Sequence, residues 1–173
     1  MTVDLVIDAD GHCDEPENEL AAWMPPEYAS RAPISVRDNL GHPRIILEGR
    51  LQGKSEGLGP SVSGPFAPHI RLSRPGMRDP HQRLVDMDEE GIDVAIIFGT
   101  QVALAVNGLM DKGLAGAICH AVNRWLLEEY CSVNPLRLKA VGLIPCQDPP
   151  AAARELHWLA EHGAVAAMLP TNV

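Results

Sequence analysis

Two metal-capable side chains follow the first apolar stretch of the sequence. Residues 6–16, VIDADGHCDEP, lead from a predicted strand, Leu5–Ala9, into Asp10 and His12. If the chain stays extended, residues two apart project to the same side. One carboxylate oxygen and one imidazole nitrogen could then reach a single divalent ion at about 2.0 to 2.2 Å. Zinc suits this pair best, with manganese or iron as alternatives.

The same residues also fit an ordinary loop. Asp-Gly is a common turn dipeptide, so Asp10 could form an Asx-turn and His12 could be a solvated loop residue. Glu15 could accept a hydrogen bond behind a metal site or contact a substrate, or it could begin the loop with Pro16. We interpret Asp8 as structural. The candidate metal ligands are therefore Asp10 and His12, and no catalytic or substrate-binding residue is assigned.

Alternating strand and helix signals continue downstream. Helix starts are marked by Asp79-Pro80 and Asp148-Pro149, and helix ends by Gly91 and Gly163. The intervening apolar runs are typical of strands covered on both faces. The predicted strands are Leu5–Ala9, Ile92–Phe98, Leu138–Ile144 and Val165–Leu169, and a helix is predicted between each of the last three and its predecessor, the middle one over Leu114–Val133.

This alternation predicts an α/β fold with a parallel sheet, built from successive right-handed βαβ units. Such sheets place their chemistry beyond the C-terminal ends of the strands, where Asp10 and His12 stand. The segment 14–77, rich in proline, glycine and charge, predicts a long loop insertion after the first strand, with a short hairpin around Pro43–Leu51. The whole chain, 1–173, is expected to form one domain.

Composition narrows the partners. A net charge of −9 and a pI near 5.1 oppose binding to nucleic acid or an anionic membrane, because both reward basic patches. No glycine-rich phosphate-binding motif is present. The N-terminus lacks the pattern of a signal peptide, and no run of about 18 apolar residues occurs. We expect a cytoplasmic protein with a small-molecule substrate, and cysteines that are mostly buried hydrophobes.

Four stretches together resemble a known family. VIDADGHCDEP, RDPHQRLVDMDEEGIDVAIIFGT, RLKAVGLIPCQDP and AMLPTN are similar to the N-terminal part of the amidohydrolase-related superfamily, nearest to its aminocarboxymuconate-semialdehyde decarboxylase-like branch. The resemblance implies a metal-dependent (β/α)8 barrel. It also implies that Asp10 and His12 stand where that family's first strand supplies two ligands as His-x-His or acid-x-His.

The resemblance further implies that other ligands belong to later strands, a histidine in the second half of the barrel and an aspartate near the eighth strand. A barrel of this kind needs about 250 residues, so 173 residues are expected to provide only the first four βα units. The expected function is the N-terminal part of a metal-dependent hydrolase or non-oxidative decarboxylase acting on a small carboxylic acid, amide or ester. The isolated chain is expected to be inactive. The alternative is a non-catalytic half-barrel that binds a copy of itself or a complementing C-terminal half.

Overall fold

A four-stranded parallel sheet organises the fold. The computed structural model of the protein describes residues 5–16, 18–37, 39, 43–52 and 75–169. Within them the strands of this sheet are β1 Ile7–Cys13, β5 Val94–Gly99, β6 Leu138–Leu143 and β7 Ala166–Met168. They lie in the order β1-β5-β6-β7, and every neighbouring pair is parallel. The predicted α/β class and parallel arrangement are confirmed.

Helices connect these strands and cover one face of the sheet. The helices are α2 Pro80–Glu90, α4 Lys112–Trp125 and α5 Pro149–Glu161. Each begins at an aspartate whose carboxylate accepts backbone N–H bonds of the first turn, Asp79, Asp111 and Asp148 respectively. Such N-caps stabilise a helix by about 1 kcal/mol each. α2 ends at Gly91, whose φ of 73° explains the glycine there.

One cluster of the core lies between the sheet and these helices. Alternate residues of β5 are buried, and Ala95 and Ile97 pack in one cluster with Met87 of α2 and Trp125 of α4. The other face carries half-exposed side chains, including Phe98. Alternation of this kind shows that the helix-covered face is buried more completely than the face that holds His12.

The first strand is longer than the sequence indicated. It runs to Cys13, so Asp10 and His12 lie within the strand rather than after it, and the predicted end at Ala9 is wrong. Its pairing with β5 shifts between Asp8 and Gly11, where three steps along β1 match two along β5. This is a β-bulge with one extra residue. Asp8 Oδ1 accepts the N–H of Asp10 at 3.0 Å within the bulge, so Asp8, not Asp10, makes the local side-chain bond.

The segment that follows β1 holds more regular structure than the sequence indicated. A second, antiparallel sheet contains β2 Ile34–Arg37, β3 Pro43–Leu47 and β4 Arg50–Leu51. The predicted hairpin is confirmed, and its two loop residues, Glu48 and Gly49, both have positive φ, as a tight hairpin turn requires. A 3₁₀ turn, Leu20–Trp23, and the short helix α1 Pro26–Ala29 precede this sheet.

Two further differences concern the helices. A short helix, α3 Gln101–Ala105, follows β5 and lies outside the helices that the sequence predicts. The predicted helix over Leu114–Val133 is α4 continued by a π-helical turn, Leu126–Tyr130, and a 3₁₀ turn, Cys131–Val133. None of the helices in the described ranges is long and apolar enough to cross a membrane.

Candidate metal centre

Asp10 and His12 lie side by side near the C-terminal end of β1. Asp10 Oδ1 is 3.4 Å from His12 Nε2, and the two side chains are 90% and 42% exposed. Two atoms 3.4 Å apart that each ligate a metal at about 2.1 Å subtend an angle of about 110° at the ion, near that of a tetrahedral site. The pair selected from the sequence therefore comes together in a geometry that fits a divalent cation, and its metal binding stays a prediction.

The backbone next to His12 is fixed by bonds from two neighbouring elements. Arg83 of α2 donates Nη2–H to the carbonyl oxygen of His12. Thr100, at the start of α3, donates its hydroxyl to the carbonyl oxygen of Cys13 at 2.7 Å. Tyr130 accepts a bond from Arg83 Nε at 3.4 Å and donates to a backbone oxygen in turn. These bonds hold the end of β1 in register with β5 and α2.

The imidazole of His12 is supported less completely than its backbone. The ring lies 5.9 Å, centre to centre, from that of Phe98, its partner in the parallel register. Its Nδ1 atom is buried and has no hydrogen-bond partner among the residues the structure describes. Metal-bound histidines generally donate this second ring N–H to an acceptor, which fixes the tautomer and orientation. Among the described residues, the imidazole therefore lacks that orienting contact.

Glu15 caps helix α3 from a buried position and is not a third metal ligand beside Asp10 and His12. Its side chain is 7% exposed, and its two oxygens accept the backbone N–H groups of Gln101 and Ala103 at 3.0 Å each. Burial raises the pKa of the carboxyl group, and the backbone N–H bonds oppose that increase. Gly99 makes room for it, since a Cβ at this position would lie 2.7 Å from Glu15 Oε1.

Cys13 is fully buried beneath the sheet and does not face the candidate site. Its exposed fraction is 0%, and it packs in the cluster that contains Met87 and Ile97. Burial raises the pKa of this thiol well above its ordinary value, so the group is protonated at neutral pH. A protonated, enclosed thiol does not ligate a metal held by Asp10 and His12.

A complete coordination sphere is not formed by the described residues. No group of three or more histidine, cysteine, aspartate or glutamate side chains in the described ranges could hold a metal ion. The pair supplies two donors, whereas a catalytic zinc site usually has three protein ligands. The family resemblance implies that further ligands belong to later strands of the barrel.

Sequence patterns only weakly predict the hydrogen bonds from α3 to Glu15 and from Arg83 to the carbonyl oxygen of His12. Glu15 is one of 23 acidic residues, and nothing in its immediate neighbours indicates burial. Arg83 lies in a charged helix, where the usual interpretation is a solvated face. The only pointers are Gly99, at a strand end, and the polar Thr100 that follows it. The parallel register of β1 and β5, which pairs Cys13 with Gly99, explains why these two residues lie next to Glu15 and the end of β1.

Solved structures resemble this fold, whereas no family model matches the chain and no curated protein is similar to it. An amidohydrolase from Mycobacterium avium subsp. paratuberculosis K-10 superposes with a TM-score of 0.71 at 20% identity, over 96% of this chain and 50% of that one. A 2,6-dihydroxybenzoate decarboxylase from Rhizobium matches with a TM-score of 0.52 at 24% identity, over 95% and 38%. A dihydroxybenzoic acid decarboxylase from Polaromonas sp. JS666, solved with bound manganese and the inhibitor 2-nitroresorcinol, matches with a TM-score of 0.53 at 24% identity, over 95% and 38%.

These likenesses establish the fold. The chain has the architecture of part of a (β/α)8 barrel, which confirms the expected fold class. The chain spans half or less of the length of the solved structures just named. In barrels of this kind active sites lie at the C-terminal ends of the strands, and that is where Asp10 and His12 stand.

Proposed function

We propose that Asp10 and His12 supply two ligands to a divalent metal in a hydrolase or non-oxidative decarboxylase of the amidohydrolase type. The observation that carries the proposal is the 3.4 Å approach of Asp10 Oδ1 to His12 Nε2 at the C-terminal end of a parallel strand. When bound, a metal here supplies Lewis acidity, which activates water or polarises a substrate carboxylate or carbonyl. The substrate class is a small carboxylic acid, amide or ester.

Other residues near the site hold the backbone of the strand that carries these two ligands. Arg83 and Thr100 bind consecutive carbonyl oxygens of β1, which limits movement of the strand that carries His12. Asp8 holds the N–H of Asp10 within the bulge. Glu15 fixes the first turn of α3, next to Thr100. Together these contacts fix the backbone that carries the two ligands, whereas the two ligand side chains are themselves less restrained.

The metal is zinc in the sequence-based expectation, and manganese is the competing candidate. Manganese is the ion named with the related decarboxylases from Polaromonas and Novosphingobium. One carboxylate oxygen and one imidazole nitrogen suit either ion. We propose a divalent metal, and metal analysis of the purified protein identifies the ion. We also retain the cytoplasm as the compartment, which cell fractionation tests.

Metal analysis of purified variants tests the proposal. The metal-free protein is titrated with zinc and, separately, with manganese, and the metal affinity is measured by calorimetry. We expect a bound divalent ion in the unmodified chain and at least a tenfold weaker metal affinity for Asp10→Ala and His12→Ala, equivalent to about 1.4 kcal/mol. His81→Ala, which removes an exposed histidine of α2, is the matched control and should bind as the unmodified chain does.

Activity assays complete this test. The metal-loaded chain is screened against aromatic and enol carboxylic acids and against simple amides and esters. We expect little or no turnover from the 173-residue chain, because the proton-transfer groups implied by the resemblance are not assigned in it. Metal affinity that is equal in all variants would refute the ligand roles. Strong turnover that survives Asp10→Ala would refute both the ligand roles and the expected inactivity.

A second candidate function is that of a non-catalytic half-barrel that binds another copy or a complementing C-terminal half. It rests on apolar side chains in or directly next to the two outer strands of the described sheet, β1 and β7. These side chains are 51 to 67% exposed, namely Leu5, Val6, Ile7, Val165 and Leu169. Outer strands with such side chains favour pairing with a further strand. Light scattering tests this function, and a monomer without bound metal would contradict it.

A further inference from the structure

The end of β1 is bound by a turn that lies directly before α2. This 3₁₀ turn, Pro75–Met77, is termed the return turn. The carbonyl oxygen of Met77 accepts the N–H of Asp14 at 2.9 Å. Asp14 comes two residues after His12 in the sequence. The return turn therefore holds the same stretch of backbone that carries the candidate ligand.

The hydroxyl of Tyr130 binds the return turn as well. Tyr130 is 1% exposed, and its hydroxyl donates to the carbonyl oxygen of Gly76 at 2.5 Å. Burial raises the pKa of this phenol to about 12, so the proton needed for the bond is present at neutral pH. Gly76 is buried too, and a buried carbonyl that loses its partner is costly. The position of the return turn therefore depends on this hydroxyl.

Arg83 connects Tyr130 to the backbone of His12. Its Nε donates to the Tyr130 hydroxyl at 3.4 Å, and its Nη2 donates to the carbonyl oxygen of His12. Both acceptors are uncharged oxygens. A guanidinium presents its N–H groups in a rigid planar fork, so a bond at Nε restricts the direction in which Nη2 points. The Tyr130 hydroxyl therefore helps to aim the group that holds His12.

Two local features bring these groups together. A Cβ added at Gly76 would lie 3.0 Å from Arg83 Cα and 2.5 Å from Asp86 Oδ2, so glycine allows the return turn to approach α2 this closely. Tyr130 is the last residue of a π-helical turn, Leu126–Tyr130, and π-helical turns occur frequently at functional sites. The hydrogen-bond network thus joins three elements, namely the return turn, α2 and the extension of α4.

We propose that Tyr130 is a positioning residue for the candidate ligand His12, acting through Arg83 and the return turn. Its hydroxyl keeps Arg83 directed at the carbonyl oxygen of His12 and keeps the return turn against Asp14. Tyr130 is itself fully buried, so its effect reaches the metal site only through the backbone of β1. This inference rests on the proposed function, because it concerns a ligand of the same metal.

Hydrogen exchange of the metal-free protein tests the coupling to β1. Tyr130→Phe removes the hydroxyl and keeps the aromatic ring. We expect the exchange rate of the Asp14 N–H to rise about fivefold more than that of the Leu143 N–H, because the opening is local. The Leu143 N–H bonds to Asn123 and has no contact with the return turn, so a uniform loss of stability would not favour Asp14. Tyr28→Phe removes the other tyrosine hydroxyl of the chain, in α1, and should leave both rates unchanged.

Calorimetric titration with zinc and, separately, with manganese tests the effect on the ligand. Removing a group bonded directly to a ligand typically weakens metal binding by about 10- to 100-fold. Because Tyr130 acts one contact further away, we expect about a fivefold increase in the metal Kd for Tyr130→Phe. Tyr28→Phe should bind the metal as the unmodified chain does. Lower global stability alone does not change the Kd of a variant that remains folded.

Arg83→Lys provides a second variant, should Tyr130→Phe fail to fold. It keeps the positive charge and loses the planar fork that reaches both oxygens, so we expect about a tenfold increase in the metal Kd. Arg154→Lys makes the same change at an exposed arginine of α5 and is the matched control. Its metal Kd should equal that of the unmodified chain.

Asp14 exchange that is equal in Tyr130→Phe and Tyr28→Phe would overturn the positioning role. So would faster Asp14 exchange with an unchanged metal Kd, if His12→Ala still weakens metal binding. Equal metal affinity in the unmodified chain, Asp10→Ala and His12→Ala would overturn the proposed function, and the role of Tyr130 at a ligand with it. The exchange measurement distinguishes these failures, because it requires no metal.

Discussion

Replacement of Asn123 by alanine should destabilise the fold strongly, because three buried hydrogen bonds depend on one amide. Two join it to the backbone of Leu143, and the third reaches the carboxylate of Glu155. Neutral hydrogen bonds contribute about 1 kcal/mol each and bonds to a charged group about 1.5 to 3 kcal/mol. With partial compensation by water at Glu155, which is 12% exposed, we expect the free energy of unfolding to fall by about 3 to 5 kcal/mol.

Urea unfolding measures this change, and it should appear as a lower midpoint with an unchanged m-value. For a chain of this size about 1 kcal/mol corresponds to 2 to 4 °C, so the melting temperature should fall by roughly 6 to 20 °C. Asn107→Ala is the control, since that half-buried amide accepts one bond, from the N–H of Cys146 at 3.2 Å. It should cost about 1 kcal/mol. If the free energy of unfolding falls no further for Asn123→Ala than for Asn107→Ala, the stabilising role of the three Asn123 hydrogen bonds is refuted.

Two further predictions concern the Glu15 cap. Gly99→Ala places a Cβ 2.7 Å from Glu15 Oε1, so it should destabilise the protein, and by less in a Glu15→Ala background, as a double-mutant cycle by urea unfolding would reveal. Independent costs would contradict the contact. Because burial raises the folded-state pKa of Glu15, its stabilising contribution is complete below the unfolded value and is lost as the pH rises through the folded value. Unfolding free energies from pH 4 to 7 should therefore favour the unmodified chain over Glu15→Gln increasingly as the pH falls, and parallel pH profiles would contradict this.

The sequence predicted the parallel sheet well because its signals were local and mutually consistent. Asp79-Pro80 and Asp148-Pro149 are found at the starts of α2 and α5, with the aspartates as N-caps. Hydrophobic periodicity predicted where helices and strands occur, because each element buries one of its faces. The positions of the strands beside one another then followed from the handedness and length of βαβ connections.

What the sequence did not predict depends on pairing between distant residues. The bulge in β1 exists because Asp8 pairs with Ala95 and Gly11 with Ile97, which no local pattern reveals. The burial of Glu15 likewise requires α3, five residues long, to begin where it does. The second sheet was predicted only as a hairpin, because β2 is only four residues long.

The two candidate ligands are unequally prepared for a metal. His12 belongs to a stretch of backbone bound by Arg83 and followed by the Thr100 contact, whereas the carboxylate of Asp10 is 90% exposed and lies 3.4 Å from the imidazole. Ordering an exposed side chain opposes binding by a fraction of its rotamer entropy, on the order of 1 kcal/mol. The free energy of metal binding must offset this ordering as well as the missing acceptor at His12 Nδ1. We therefore expect Asp10 and His12 alone to bind an ion weakly, and we expect tight binding to require at least one more ligand and an acceptor for the imidazole.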